Sequence, residues 1–370
     1  MRTTFTDDVT RLAERATLGA LLTDPDRIAD VTRWLRAGDF THAWHSAIYT
    51  ALREQHAARV QITVQGVAAA LTGRLGVRRA DLPELAGLVN AAPHQPDPVR
   101  YARMVTESGL RREVTGQGVL LRAAALHTAL TGEAHPLTGG CDLVDATLDS
   151  VARRWSAARG GPVLADTTPI PLRAAARSTE VRLGADKLLR QHPPRDPHSE
   201  RDHEIALVGA LVAHPDQIPT VARWLPPTRI TDPAWRTVYA AAVELTERAE
   251  AVDEVTVAWA VRAPAHHGSP VPDLTDLTHT VTAARFTPPG TAARTVAGDQ
   301  LRRLADVGTD QLHKAAANPG VLLTDLIDTT RLLTASLRHV ATALPTLAST
   351  ATTSPAPVRE LRPTRGPVAG

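Results

Sequence analysis

The stretch Leu18–Leu35, LGALLTDPDRIADVTRWL, returns at 208–225 as VGALVAHPDQIPTVARWL, with ten of eighteen positions identical at an offset of 190. A repeat of this length restricts the chain to two like-folded units, because each copy must bury the same pattern. The match extends outward: Glu14 pairs with Glu204, Thr41 with Thr231 and Tyr49 with Tyr239. Thr63-Val64 is echoed by Thr256-Val257, Arg103 by Arg294, and Leu110-Arg111-Arg112 by Leu301-Arg302-Arg303. The offset drifts and recovers, as loop insertions would require. A chain of 370 residues is also too long for one compact core.

Each copy reads as helices. Aromatic residues make up only 3% of a chain rich in Ala and Leu, which favours helices over sheets. Leu18, Leu21 and Leu22 have helical spacing before Asp24-Pro25, where Asp24 reads as an N-cap and Pro25 as the first helical residue. The next helix places Ile28, Val31 and Leu35 on one face and ends at Gly38. Thr41 then caps a third helix carrying His45, Ile48 and Leu52 inward, and Thr63 caps a fourth with Val67 and Leu71. A fifth runs from Leu82 to Val89 before the chain breaks at Pro93, Pro96 and Pro98. In the second copy Pro215 opens the helix of Ile218, Val221 and Leu225, and Asp232-Pro233 opens that of Trp235, Val238 and Ala242. Pro219 falls where a helical N–H should bond back, so a distorted first turn is expected.

A longer helical pair follows each unit. The first is predicted over 99–130 and 142–158, turning through TGEAHPLTGG; the second over 291–317 and 321–343, turning at Asn318-Pro319-Gly320. Leu120, Leu121, Leu148 and Val151 line the first arm, and Leu301, Leu304, Leu326 and Leu333 the second. A two-helix arm has little to bury its apolar stripe against by itself, so these residues are the expected partner interface.

The ordered set Glu14, Leu18, Gly19, Asp24, Pro25, Ile28, Val31, then Asp39, Phe40, His45, Ile48, Tyr49, then Tyr101, Val105 and Leu110 to Arg112 resembles the N-terminal domain of DnaB-type replicative helicases. The second copy departs from it, with Ile230 for the Phe and Trp235 for the His. The resemblance spans roughly 14–155 and 202–343. It implies an all-helical head plus a helical hairpin, a domain that forms a collar above the ATPase ring, pairs with other copies through its hairpins and docks the primase without chemistry of its own. A similar helical fold occurs at the helicase-binding end of the primase.

The motor of that family needs G-x-x-x-x-G-K-[ST]. The two lysines, Lys187 in GADKLL and Lys314 in LHKAAA, lack both the glycines and the following Ser or Thr. The expectation is a non-enzyme without cofactor or metal. A lone cysteine, Cys141, rules out an internal disulfide and a cysteine-based zinc site. With no signal-like apolar core at the N-terminus and no run long enough to span a bilayer, a cytoplasmic protein without membrane contact is expected.

Other residue clusters read as structural rather than chemical. His192, His198 and His203 sit in a proline-rich linker, and His266-His267 in a loop; both read as solvated rather than metal-binding. His45 reads as a core or cap histidine. Asp7-Asp8, Asp24/Asp26 and Asp253-Glu254 read as helix-start acids placed at the positive dipole end. The pairs Arg78-Arg79, Arg111-Arg112, Arg153-Arg154 and Arg302-Arg303 can touch phosphates, but nearby acids balance them to a net charge of +2. Any DNA contact is therefore expected to be weak or indirect. Trp34 and Trp224 occupy equivalent core-edge positions.

The expected organisation is all-α: a first domain over 1–158, a Pro/Gly-containing linker with a helix around 172–190 within 159–200, a second domain over 201–343 and a disordered tail over 344–370. The expected function is a replication-associated interaction protein. Its expected partners are the replicative helicase, the primase or a loader, with self-association through the hairpins. The alternatives are a DNA-binding replicon or plasmid accessory factor and a non-motor subunit of a helicase assembly.

Overall fold

The computed structural model describes residues 5–76, 82–90, 93–94, 96–162, 165–262, 266 and 268–343, and among these there is no strand. The expected tail over 344–370 lies outside the described residues, as do Arg78-Arg79 and His267. The chain forms two compact units: one from residues 1–130, 135–203 and 295–341, the other mainly from 204–294.

The head of the first unit runs through α1 (Phe5–Thr23), a 3₁₀ turn (Pro25–Arg27), α2 (Ile28–Val31), a second 3₁₀ turn (Ala37–Asp39), α3 (Ala43–Ala57), α4 (Val64–Leu75), α5 (Leu82–Asn90) and α6 (Pro98–Thr115). Leu18, Leu21, Ile28, Leu35, Ile48, Leu52, Leu71 and Leu85 are fully buried at its centre. Burying a side chain of this size stabilises by about 1.5–3 kcal/mol, which is how short helices without strong propensity persist.

Several local expectations are corrected. Asp24 makes no side-chain cap bond; the helix after it opens as a 3₁₀ turn and continues for one α turn only. It ends at Val31, so Gly38 is not its stop but a member of the next 3₁₀ turn. Thr41 does not cap α3 either. Its amide donates to the buried Glu14 at 2.5 Å, and the cap position falls to His42. Thr63 does cap α4, accepting from the Gly66 amide at 3.0 Å.

The arm of the first copy is not one helix over 99–130. It breaks between α6 and α7 (Gly118–Thr131) at Gly116-Gln117. The return helix α8 (His135–Ala158) begins seven residues before the expected 142. The TGEAHPLTGG segment reads as a turn by composition, yet most of it is helical. A β-carbon on Gly140 would stand 2.6 Å from Ala124 Cβ, so the glycine is a close-packing position in a helix crossing. The expected linker helix is two, α9 (Ile170–Arg177) and α10 (Thr179–Gln191), separated at Ser178, whose hydroxyl caps α10.

The second copy continues with α11 (Pro197–Ala213), a 3₁₀ turn (Pro215–Gln217), α12 (Ile218–Ala222), another 3₁₀ turn (Pro227–Arg229), α13 (Pro233–Glu247), α14 (Glu254–Ala260), α15 (Leu274–Ala283), α16 (Pro289–Ala317) and α17 (Leu323–Ala343). Asp232 caps α13 as expected, accepting from Ala234 and Trp235. Pro219 produces no distortion peculiar to this copy, because it sits in the first turn of α12, where N–H groups are unpaired anyway, and the first copy has the same 3₁₀-then-α start without a proline. The α14 cap is Asp253, bonded reciprocally with Thr256. Caps Thr63 and Asp253, and the buried Val67 and Val257, keep the offset of 190; the apparent echo of Thr63-Val64 in Thr256-Val257 is out of register.

The repeat reaches the backbone itself. Two positions past the end of α3 and of α13 stands a non-glycine residue in the left-handed region, Arg59 at φ 54° and Ala249 at φ 57°. Each is followed by an amide bonding back across the last turn, Val60 to Gln55 and Glu250 to Leu245, both at 3.0 Å.

Candidate functional site: a four-helix bundle from two hairpins

α7 with α8 and α16 with α17 are the two hairpins, and within the first unit they pack on each other. α7 meets α16: a β-carbon on Gly118 would lie 2.1 Å from Thr309 Cγ2, and one on Gly298 3.0 Å from Ala129 Cβ. Small residues at both crossings let the backbones approach. α17 meets α8: the Thr334 hydroxyl donates to Asp145 at 2.9 Å.

Ion pairs run along both seams. Arg338 reaches Asp142 at 2.7 Å and Asp145 at 2.6 Å, and Arg331 reaches Asp149 at 2.8 Å. On the other seam Arg122 bridges Asp306 at 3.2 Å and also pairs with Asp310. Partial burial pulls the Arg338 guanidinium down, but its two aspartates outweigh that and hold it above its ordinary value. These pairs are partly exposed, so each contributes about 0–1 kcal/mol and their chief effect is register.

The eight residues predicted as a partner interface lie in this bundle. Leu121, Leu148, Val151, Leu301 and Leu326 are fully buried, Leu120 and Leu333 nearly so, and Leu304 is half-buried. Their stripes are covered from within the chain. The lone Cys141 is buried beside them, and burial pushes its thiol up to about 12.

A buried charge network holds the first hairpin to its head. Arg154 of α8 donates to the Trp34 carbonyl at 3.1 and 3.0 Å, to Asp39 at 2.5 Å and to Glu113 at 3.0 Å. The Arg36 amide donates to the same Asp39 carboxylate at 2.7 Å, and Arg112 donates to the Asp39 carbonyl. Arg111 reaches the carbonyls of Ala316 and Val321 at the α16–α17 turn. Arg153 pairs with Asp166 at 2.8 Å, Arg302 donates to the Pro193 carbonyl, and Arg303 pairs with the buried Glu200, which Arg195 also holds at 2.6 Å. Three of the four arginine pairs that sequence offered to phosphate, Arg111-Arg112, Arg153-Arg154 and Arg302-Arg303, are thus engaged inside the chain; Arg78-Arg79 lies outside the described residues. Sequence reasoning missed Arg154 as a buried anchor, since nothing local separates it from Arg153.

Each head carries a buried glutamate at the same repeat position, Glu14 and Glu204. Glu14 accepts from the Thr41 amide at 2.5 Å and lies 2.6 Å from His45 Nδ1. Burial pushes this carboxyl up, but the bonds from His45 and Thr41 outweigh it and hold it below the ordinary carboxylate value. In the second head Trp235 replaces the histidine, and Glu204 accepts from the Thr231 amide at 2.9 Å, the Thr231 hydroxyl at 2.7 Å and the Asp232 amide at 3.0 Å. Tyr49 donates to the Leu35 carbonyl at 3.2 Å and Tyr239 to the Leu225 carbonyl at 2.9 Å, again one repeat apart. Trp34 is buried and Trp224 half-buried.

His192 bonds the Leu188 carbonyl, His203 pairs with Asp299 at 2.8 Å, and His266 faces Glu244 at 3.4 Å. His198 stands in the first turn of α11. Among the described residues no three His, Cys, Asp or Glu side chains form a group that could hold a metal ion. No single helix there is long and apolar enough to cross a membrane.

The family model of the DnaB-like helicase N terminal domain matches twice, over residues 9–107 and 195–287. The chain is also 34% identical over 107 residues to the replicative DNA helicase DnaB of Mycobacterium leprae (strain TN); that match takes in 29% of this chain and 18% of the helicase. Two matched segments, paired buried glutamates and two helical hairpins agree: this chain belongs to the DnaB-like helicase N-terminal domain family and carries that domain in tandem.

Proposed function

We propose that this chain is a non-catalytic docking component of DNA replication. It presents a ready-paired hairpin module to a replicative helicase, a primase or a helicase loader. The observation that carries this reading is the pairing of the two hairpins inside one chain, with Gly118 against Thr309 and Arg338 against Asp142 and Asp145. A single chain thereby satisfies for itself the contact that the collar resemblance assigns to separate copies. The absence of G-x-x-x-x-G-K-[ST] from these 370 residues supports a role without nucleotide hydrolysis. The engagement of Arg111, Arg112, Arg154, Arg302 and Arg303 by intrachain acceptors weighs against a primary DNA-binding role.

The test is equilibrium binding of the purified chain to purified replicative helicase, primase and loader, with DNA alone as a comparison. Micromolar or tighter binding to one of the proteins supports the reading. Failure to bind any of them, or salt-sensitive DNA binding that is stronger than any protein contact, overturns it.

A further inference from the structure

Within the second head, α14 carries two large apolar side chains, Val255 and Trp259, one helical turn apart on the same face and each 72% exposed. The register of the caps sets these opposite Gln65 and Ala69 of the first head, a polar and a small residue. The second head thus carries an exposed apolar ridge at a position the first head leaves without one. Beside it lies a groove of about 660 Å³ lined by Leu245, Arg248, Glu250, Val255, Trp259 and Arg262, among others.

The charges around this groove are unequal in their engagement. Arg248 is paired with Glu250 at 3.3 Å. The Arg262 guanidinium lies 5.1 Å from the centroid of the Trp259 ring, and no carboxylate pairs with it among the described residues. Stacking on an indole face leaves a guanidinium's outer N–H groups free for a bidentate carboxylate. Tryptophan and arginine are also the residue types that dominate binding energy when desolvated at an interface.

We propose that the α14 groove is a docking site for an acidic amphipathic helix of a partner protein. Apolar residues of that helix at i and i+4 cover Val255 and Trp259, and an Asp or Glu flanking them pairs with Arg262. Two turns of helix suffice to span the ridge. The site rests on the proposed docking function but assigns it to one head, making the two copies unequal: the first keeps Phe40 and His45 where the second has Ile230 and Trp235, and the second bears the contact surface.

The probe is a synthetic helical peptide with leucines at i, i+4 and i+7 and flanking glutamates, compared with versions bearing lysines for the glutamates or serines for the leucines. The full chain is expected to bind the Glu-Leu peptide at least about tenfold more tightly than either control peptide. Trp259→Ala is expected to lower that affinity by about tenfold or more, and Arg262→Glu to reverse the preference toward the lysine peptide. Leu332→Ala, which removes an equally exposed leucine on α17, is expected to change nothing. No discrimination among the peptides, or binding indifferent to Trp259→Ala and Arg262→Glu in chains with unchanged helical content, overturns the site. If Trp259→Ala binds helicase, primase or loader as tightly as the unmodified chain, the site is wrong and the docking function stands. If the peptide behaves as expected while none of those proteins binds, the site stands and that function falls.

Discussion

Gly118 of α7 and Thr309 of α16 meet so closely that a β-carbon on the glycine would stand 2.1 Å from Thr309 Cγ2. Two residues from different repeats, 191 positions apart, thus act as socket and knob in one bundle. Thr309 is fully buried there, so its methyl has no solvent to retreat into.

That contact makes the first prediction. Gly118→Ala is expected to destabilise the chain by about 1–3 kcal/mol through overpacking. Adding Thr309→Gly, which empties the opposing volume, should recover part of the loss. Urea unfolding of the two single variants and the double variant measures the coupling. Additive single effects would mean that the helices do not meet at this crossing.

Arg154 is the second test. Arg154→Met leaves the Asp39 carboxylate buried without its cation, a change that costs about 3–5 kcal/mol. Asp39→Asn combined with Arg154→Met is expected to be milder than Arg154→Met alone, since the buried Asp39 position then carries no charge and only the more exposed Glu113 loses its partner. Should Arg154→Met unfold at the same denaturant concentration as the parent, the anchor between α8 and the head is not structural.

The buried carboxylates Glu14 and Glu200 give a pH prediction. For both, burial raises the carboxyl but hydrogen bonds outweigh it: from His45 and Thr41 for Glu14, from Arg195 and Arg303 for Glu200. Each is held below its ordinary value of 4.5, so the unfolded chain takes up protons first as pH falls. Their stabilisation is complete above 4.5 and declines as pH drops from there through the lower folded values. Thermal melts between pH 7 and 3 should show this loss, and Glu14→Gln should start less stable and lose less over that range. A melting temperature that rises on acidification contradicts the assignment.

The left-handed residues Arg59 and Ala249 offer gains rather than losses. Arg59→Gly and Ala249→Gly are each expected to stabilise by up to about 1 kcal/mol, because glycine adopts that conformation without a Cβ clash. Equal or lower stability in both variants would show that the α3 and α13 ends relax without strain.

What sequence alone determined is the part of this protein governed by local periodicity and by repetition. The offset of 190 placed two helical heads, and the caps Thr63 and Asp232 stand where the pattern put them. The hairpin leucines were recognisable as an apolar stripe because helical spacing is a property of neighbours along the chain. What covers that stripe is not such a property. Only tertiary structure decided that Leu121 and Leu301 are buried in one bundle, that Gly140 is a packing position inside a helix rather than a turn residue, and that Arg154 is an internal anchor while Arg153 stays near the surface. Thr41 and Glu14 make the same point, since a hydrogen bond across 27 positions displaced a local cap. Each of these outcomes depends on which distant atoms arrive within a few ångströms, and composition and spacing carry no record of that distance.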